Sequence, residues 1–186
     1  MALTSPEFLL LTAVSVLLYY LLPGRFQWPL LLAAGLVFYC AGGGLTVLYV
    51  IAVAATVWGA ALLADAHRER RKLISTVCCI LNFGLLYVLK YLGFTLELLG
   101  AGSGLSFVLP LGISFFMFQA VGYLIDVYRG KYAPERNFAK FLLFVSFFPQ
   151  MTQGPISTYP QLMTQLVEGH RFDPDNFVME IGRASC

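Results

Sequence analysis

Three hydrogen-bonding side chains, Gln150, Thr152 and Gln153, stand between Pro149 and Pro155, directly after a long apolar run. Proline removes a backbone donor and breaks a helix, so this stretch carries peptide groups that a helix no longer satisfies. At membrane depth such groups must be met by protein or by water. One reading is a re-entrant turn or cavity wall, with Gln150, Thr152 and Gln153 offering hydrogen bonds to a ligand and Gly154-Pro155 shaping the turn. The other is a helix ended at the surface by Pro149, with the amides serving only the broken backbone. A second polar feature lies upstream. Gln119, Tyr123 and Asp126 fall at i, i+4 and i+7, which puts one polar stripe on an otherwise apolar helix.

A general base is harder to find. Histidine titrates nearest neutral pH, and the chain has two, His67 and His170, each among charged or polar neighbours. A solvated loop residue is the simpler reading of both. Ser106, Ser114 and Ser146 sit in apolar runs with neither a neighbouring histidine nor a G-x-S-x-G elbow. Carboxylates are scattered, which argues against a paired acid and base. Cys40, Cys78, Cys79 and Cys186 form neither a C-x-x-C pair nor a Cys/His ligand spacing, so no metal site is expected.

The elements that position these residues can be read from the apolar runs. Hydrophobic segments are expected at 8–22, 28–40, 45–64, 73–99, 107–128 and 138–150. Leu109-Pro110 suits the opening of the fifth, and Arg129-Gly130 its close. Gly42-Gly43-Gly44 makes a tight turn, and lacks the Lys and Ser/Thr of a phosphate loop. Lys90 is either a functional cation inside the membrane or, lying near a segment end, a long side chain that reaches the interface. A short helix is expected over Tyr159 to Val167, and an interfacial helix over 174–183 behind the Asp173-Pro174 start.

Hydrophobic residues make up 59% of the 186 and charged residues 12%, against roughly 45–50% and about 25% in soluble domains. The chain therefore reads as all-α and polytopic, with the lipid bilayer as its first partner. A net charge of +2 without a basic stripe argues against nucleic acid. Arginine and lysine are unequally shared between alternate loops. Arg25, Arg68, Arg70, Arg71, Lys72, Arg129, Lys131, Arg136 and Lys140 lie on one side and Lys90 on the other. Nine against one places the odd-numbered loops in the cytoplasm.

The run LPLGISFFMFQAVGYLIDVYRG, followed by ERNF and FVSFFPQMTQGPI, closely resembles the membrane-bound O-acyltransferase family, in its bacterial alginate O-acetyltransferase-like branch. The resemblance extends from the opening helix to HRFDPDNF. It implies transfer of an acetyl or other short acyl group from a thioester donor such as acetyl-CoA, with no bound cofactor. The implied acceptor is a hydroxyl of a cell-envelope or exported polysaccharide, the implied setting a multi-pass protein of the cell membrane, and an extracytoplasmic acyltransferase the implied partner. D-alanyl transfer to teichoic acid, or a non-catalytic transporter or export module, is the alternative. The resemblance also implies that the essential membrane-embedded histidine lies beyond Cys186, because neither His67 nor His170 matches its position. The chain then corresponds to the N-terminal part of the family's helical bundle, ahead of the catalytic part. Gln150, Thr152, Gln153, Gly154 and Pro155, with Gln119 and Tyr123, are by resemblance the candidates for the wall of its substrate channel.

Overall fold

The computed structural model describes residues 6–41, 43–99, 112–150 and 157–168. Every regular element among them is an α-helix: α1 (Pro6–Leu21), α2 (Gly24–Ala41), α3 (Gly44–Ala66), α4 (Arg71–Lys90), α5 (Leu92–Leu98), α6 (Ile113–Tyr128), α7 (Phe138–Ser146) and α8 (Tyr159–Val167). The all-α expectation holds, and the short helix over Tyr159 to Val167 appears with those bounds. The interfacial helix expected over 174–183 lies outside the described residues.

Two segments end differently from their apolar runs. The 73–99 run is two helices, α4 and α5, separated at Tyr91. Gly93 and Thr95 are weak helix formers, and the Thr95 hydroxyl donates to the Tyr91 carbonyl at 2.9 Å while accepting from the Tyr87 hydroxyl at 3.0 Å. The 138–150 run is helical only to Ser146, and Phe147 is already extended, at φ −65° and ψ 96°. Pro149 has no N–H to give the Val145 carbonyl, and its ring disfavours helical geometry at Phe148. The break therefore begins before the proline that causes it. For the 107–128 run, the described helix starts at Ile113, behind Gly112 at φ +72°; a start at Leu109-Pro110 lies outside the described residues.

Helix α3 is central and touches α2, α4, α6 and α7. Its Val50, Val53, Ala54, Val57 and Ala61 are almost fully buried. Small residues on this face let the backbones approach, as packing inside a membrane requires. A polar clasp joins α3 to α4. The Thr56 hydroxyl donates to the Asn82 side-chain carbonyl at 3.4 Å, while the Asn82 amide donates to the Cys78 carbonyl at 2.9 Å. Helix α1 lies on α2 at the edge of the bundle and buries only Ser15. Gln27 holds that hairpin by donating to the Tyr19 carbonyl at 3.0 Å.

Thr46–Ala66 and Arg71–Lys90 are long and apolar enough to cross a membrane, while Pro6–Leu21 and Ile113–Tyr128 are apolar but shorter. The outward surface is apolar too: Leu9, Leu17, Ile80, Leu81 and Phe94 are each at least 60% exposed. Soluble monomers rarely show such contiguous apolar surface. Polar Gln27, Asn82, Gln119 and Ser146 are buried instead. The architecture is that of a membrane helical bundle.

Candidate functional site

The broken end of α7 is built against α2. A Cβ on Gly35 would lie 2.7 Å from the Ser146 carbonyl oxygen, so the two backbones meet where only glycine fits. Beyond the break, Phe148 stacks on Phe38 at 5.6 Å and meets the edge of Phe8 at 5.9 Å. Ser146 is fully buried, and its hydroxyl has no hydrogen-bond partner among the described residues. Gln150 is 8% exposed and donates to the Ser157 hydroxyl at 2.6 Å. That bond ties the end of the 138–150 run to the residue just ahead of the Thr158 cap of α8. Thr152, Gln153, Gly154 and Pro155 lie outside the described residues.

The polar stripe of α6 is also engaged. Gln119 is 2% exposed and donates to the Phe144 carbonyl at 3.0 Å, taking up a backbone group of α7 just ahead of the break. Tyr123 accepts from the Glu135 N–H at 2.7 Å. Asp126 pairs with Lys131 at 2.7 Å, outside the aromatic core. The three residues share a stripe, and each ties α6 to a later stretch of the chain.

Glu135 is the feature that sequence reasoning passed over. All of its polar groups are engaged. Its N–H donates to Tyr123, its carbonyl accepts from the Trp58 indole at 2.8 Å, Oε1 accepts from the Asn137 N–H at 2.8 Å, and Oε2 accepts from the Tyr159 hydroxyl at 2.8 Å. Asn137 in turn caps α7, accepting from the Ala139 N–H at 3.0 Å. One loop residue thus joins α3 and α6 through its backbone, and the α7 cap and α8 through its carboxylate. The signal was present in the E-R-N-F tetrapeptide ahead of an apolar run, where a cap residue was legible. The tyrosine and tryptophan partners, 12 to 77 residues away, were not.

Around Glu135 lies a tyrosine cluster. Tyr123 meets Tyr159 at 5.0 Å and Tyr132 at 5.7 Å, and Tyr132 stacks on Tyr159 at 6.0 Å. Burial pushes the Tyr132 phenol well above its ordinary range, and the Asp126 carboxylate adds to the shift. The phenol is therefore a protonated donor at neutral pH. Its oxygen is buried and without a partner among the described residues. Tyr132 and Ala133 separate two cavities of about 340 Å³ each. One is lined by Glu135, Lys140, Tyr159 and α8; the other by Asp65, Arg68, Arg71, Tyr128 and Gly130.

His67 lies at the exposed C-terminal end of α3, its backbone N–H bonded to the Leu63 carbonyl. His170 is outside the described residues. Lys90 reaches across to the start of α6 and donates to the Ser114 hydroxyl at 3.1 Å, with its ammonium 5.4 Å from the Tyr91 ring.

No family model and no solved structure matches the chain. It is similar to curated proteins of several bacteria. The probable alginate O-acetylase of Azotobacter vinelandii is 34% identical, over 80% of this chain and 32% of that protein. The probable alginate O-acetylase of Pseudomonas putida is 33% identical over 80% of this chain and 33% of its own length. A peptidoglycan O-acetyltransferase of Helicobacter pylori is 34% identical over 33% of this chain and 16% of that protein. The chain thus spans about a third of the length of the alginate O-acetylases it matches. Over four-fifths of its residues, the chain is similar to the alginate O-acetylases.

Proposed function

We propose that this chain serves O-acyl transfer, in which an acetyl or other short acyl group passes from a thioester such as acetyl-CoA to a hydroxyl of a cell-envelope or exported polysaccharide. The similarity to alginate O-acetylases across four-fifths of the chain carries this reading. The packing supports it in one respect. The bundle fixes a broken helix end at Phe147 to Gln150, and the Gln150 amide donates to the Ser157 hydroxyl ahead of α8. Thr152 and Gln153, between Gln150 and Ser157, would then offer hydrogen bonds to donor or acceptor. An extracytoplasmic acyltransferase is the proposed partner.

The setting proposed is a multi-pass protein of the cell membrane, with the arginine-rich loops in the cytoplasm. The loop after α3 and the loop after α6 share one end of the bundle, since Arg71 lies 5.3 Å from the Tyr128 ring. Lys90 and Ser114 meet elsewhere, where α4 ends and α6 begins.

Hydroxyl acylation requires a base, and neither His67 nor His170 is assigned that role. Membranes expressing the complete reading frame should transfer label from acetyl-CoA to a polysaccharide acceptor, while residues 1–186 alone should not. Transfer by residues 1–186 that is lost in His67→Ala or His170→Ala would assign the base to one of these histidines instead. Absence of transfer by the complete, folded protein to any envelope polysaccharide would overturn the reading.

A further inference from the structure

The cavity between the α3–α4 turn and the loop after α6 is unlike the apolar remainder of the bundle. It has a volume of about 340 Å³ and is lined by Ala64, Asp65, Arg68, Arg71, Val127, Tyr128, Gly130, Tyr132 and Ala133. We infer that this cavity is a binding site for a phosphate ester, held by the Arg68 and Arg71 guanidiniums.

Neither arginine is ion-paired among the described residues. The pair between Lys131 and Asp126 is the one salt bridge among them, and it involves neither Arg68 nor Arg71. Two guanidinium forks flanking one cavity suit a tetrahedral, multiply charged oxyanion, because each can donate two parallel hydrogen bonds. Arg71 is also held in place. Its guanidinium carbon sits 5.3 Å from the Tyr128 ring centroid, so a cation–π contact orients the fork before any ligand arrives.

Two further features adjoin the cavity. Arg71 opens α4, whose first N–H groups have no partner within the helix and form its positive end. The buried Tyr132 hydroxyl lacks a partner among the described residues and belongs to a residue of the cavity wall. Gly130, at φ +74°, turns the loop without placing a side chain in the opening.

Asp65 is the opposing charge on the wall. With two guanidiniums against one carboxylate the cavity keeps a net positive charge. The carboxylate would accept from a hydroxyl or amine next to the phosphate, which favours a phosphate ester over a bare halide or carboxylate. Two sources present this chemistry, the phosphates of a soluble nucleotide-like molecule and the headgroup of a phospholipid.

Pyrophosphate binding to the purified, folded chain in detergent tests the site, with folding followed by circular dichroism. Wild type should bind, and Arg68→Gln and Arg71→Gln should each weaken binding by about tenfold or more, as expected for loss of a charged hydrogen-bonding partner. Arg71→Lys keeps the charge but loses the stacked fork, and should fall between. Arg25→Gln, which removes a cation outside the cavity, should bind as wild type. Competition by adenosine 3′,5′-bisphosphate assigns the soluble source. Competition only by vesicles containing phosphatidylglycerol, and not by phosphatidylcholine vesicles, assigns the lipid headgroup. No pyrophosphate binding by folded wild type, or equal weakening in Arg25→Gln and Arg71→Gln, would overturn the inference. Either result leaves the test of acetyl transfer untouched, since that assay reads product and not anion binding.

Discussion

Gly35 and Ser146 touch through their backbones: a Cβ at Gly35 would stand 2.7 Å from the Ser146 carbonyl oxygen. This contact sets the distance between α2 and the broken end of α7, and Phe38 stacks on Phe148 beyond it. The neighbour here is a backbone atom, which cannot rotate away as a side chain would. Gly35→Ala should therefore destabilise the bundle by about 1–3 kcal/mol, the usual range for overpacking. Thermal unfolding in detergent measures it. Gly84→Ala, where an added Cβ meets nothing within 4 Å, should leave stability the same or higher, because alanine is the better helix former. Equal behaviour of the two variants would show that the close approach is not part of the folded state.

Glu135 offers a second test, because four elements meet on one residue. Glu135→Gln keeps size and one acceptor but removes the charge that strengthens the Tyr159 hydrogen bond. Tyr159→Phe removes the donor. Each single change should cost about 1–3 kcal/mol, and the double variant clearly less than their sum, since both lose the same 2.8 Å bond. Trp58 reports the result, as its indole donates to the Glu135 carbonyl and its fluorescence should shift when the loop detaches. Simple additivity would mean that the Tyr159–Glu135 bond contributes nothing.

The residues differ in how much of their role was legible in the sequence. Helix type and the apolar runs were legible in the sequence, and the short helix expected over Tyr159 to Val167 is α8. The break in α7 was visible in Pro149, but its position was not. Proline acts on the residues before it, so the helix ends at Ser146. Gln119 and Tyr123 could be placed on one stripe by spacing alone. Spacing cannot say that the stripe faces the Phe144 carbonyl and Glu135, because those partners arrive from a different helix and a loop. Glu135 itself sits in a charged link, where a carboxylate usually belongs to solvent. Only the tertiary approach of Trp58 and Tyr159 makes it a hub.

Orientation in the membrane can be decided by chemistry at Glu69, in the turn that carries Arg68 and Arg70, just ahead of Arg71 at the start of α4. That turn is exposed, so a cysteine there will be reachable from whichever side it faces. In a background lacking the native cysteines, Glu69→Cys should resist an impermeant thiol reagent in intact cells and react once the membrane is opened. The excess of nine arginine and lysine residues over one between alternate ends of the apolar runs predicts this orientation. Labelling of intact cells would invert the topology and move the Arg68–Arg71 cavity to the outer face.

The segment between Gln150 and Ser157 separates a structural role from a functional one. Gln150 is buried and clasps Ser157 at 2.6 Å, so Gln150→Leu should lower expression or thermal stability. The loss should be about 1 kcal/mol, the net contribution of a typical hydrogen bond, and larger if the Ser157 hydroxyl is left buried. Gln153→Leu tests the channel wall proposed for the same segment. If its amide meets donor or acceptor, the complete protein should be made and inserted normally yet transfer less acetyl. If it serves only the broken backbone, expression should fall while specific activity of the surviving protein stays normal. Both quantities must be read from one preparation, since a drop in either alone is ambiguous. Normal expression and full transfer in Gln150→Leu, Thr152→Val and Gln153→Leu together would remove this segment from the substrate path.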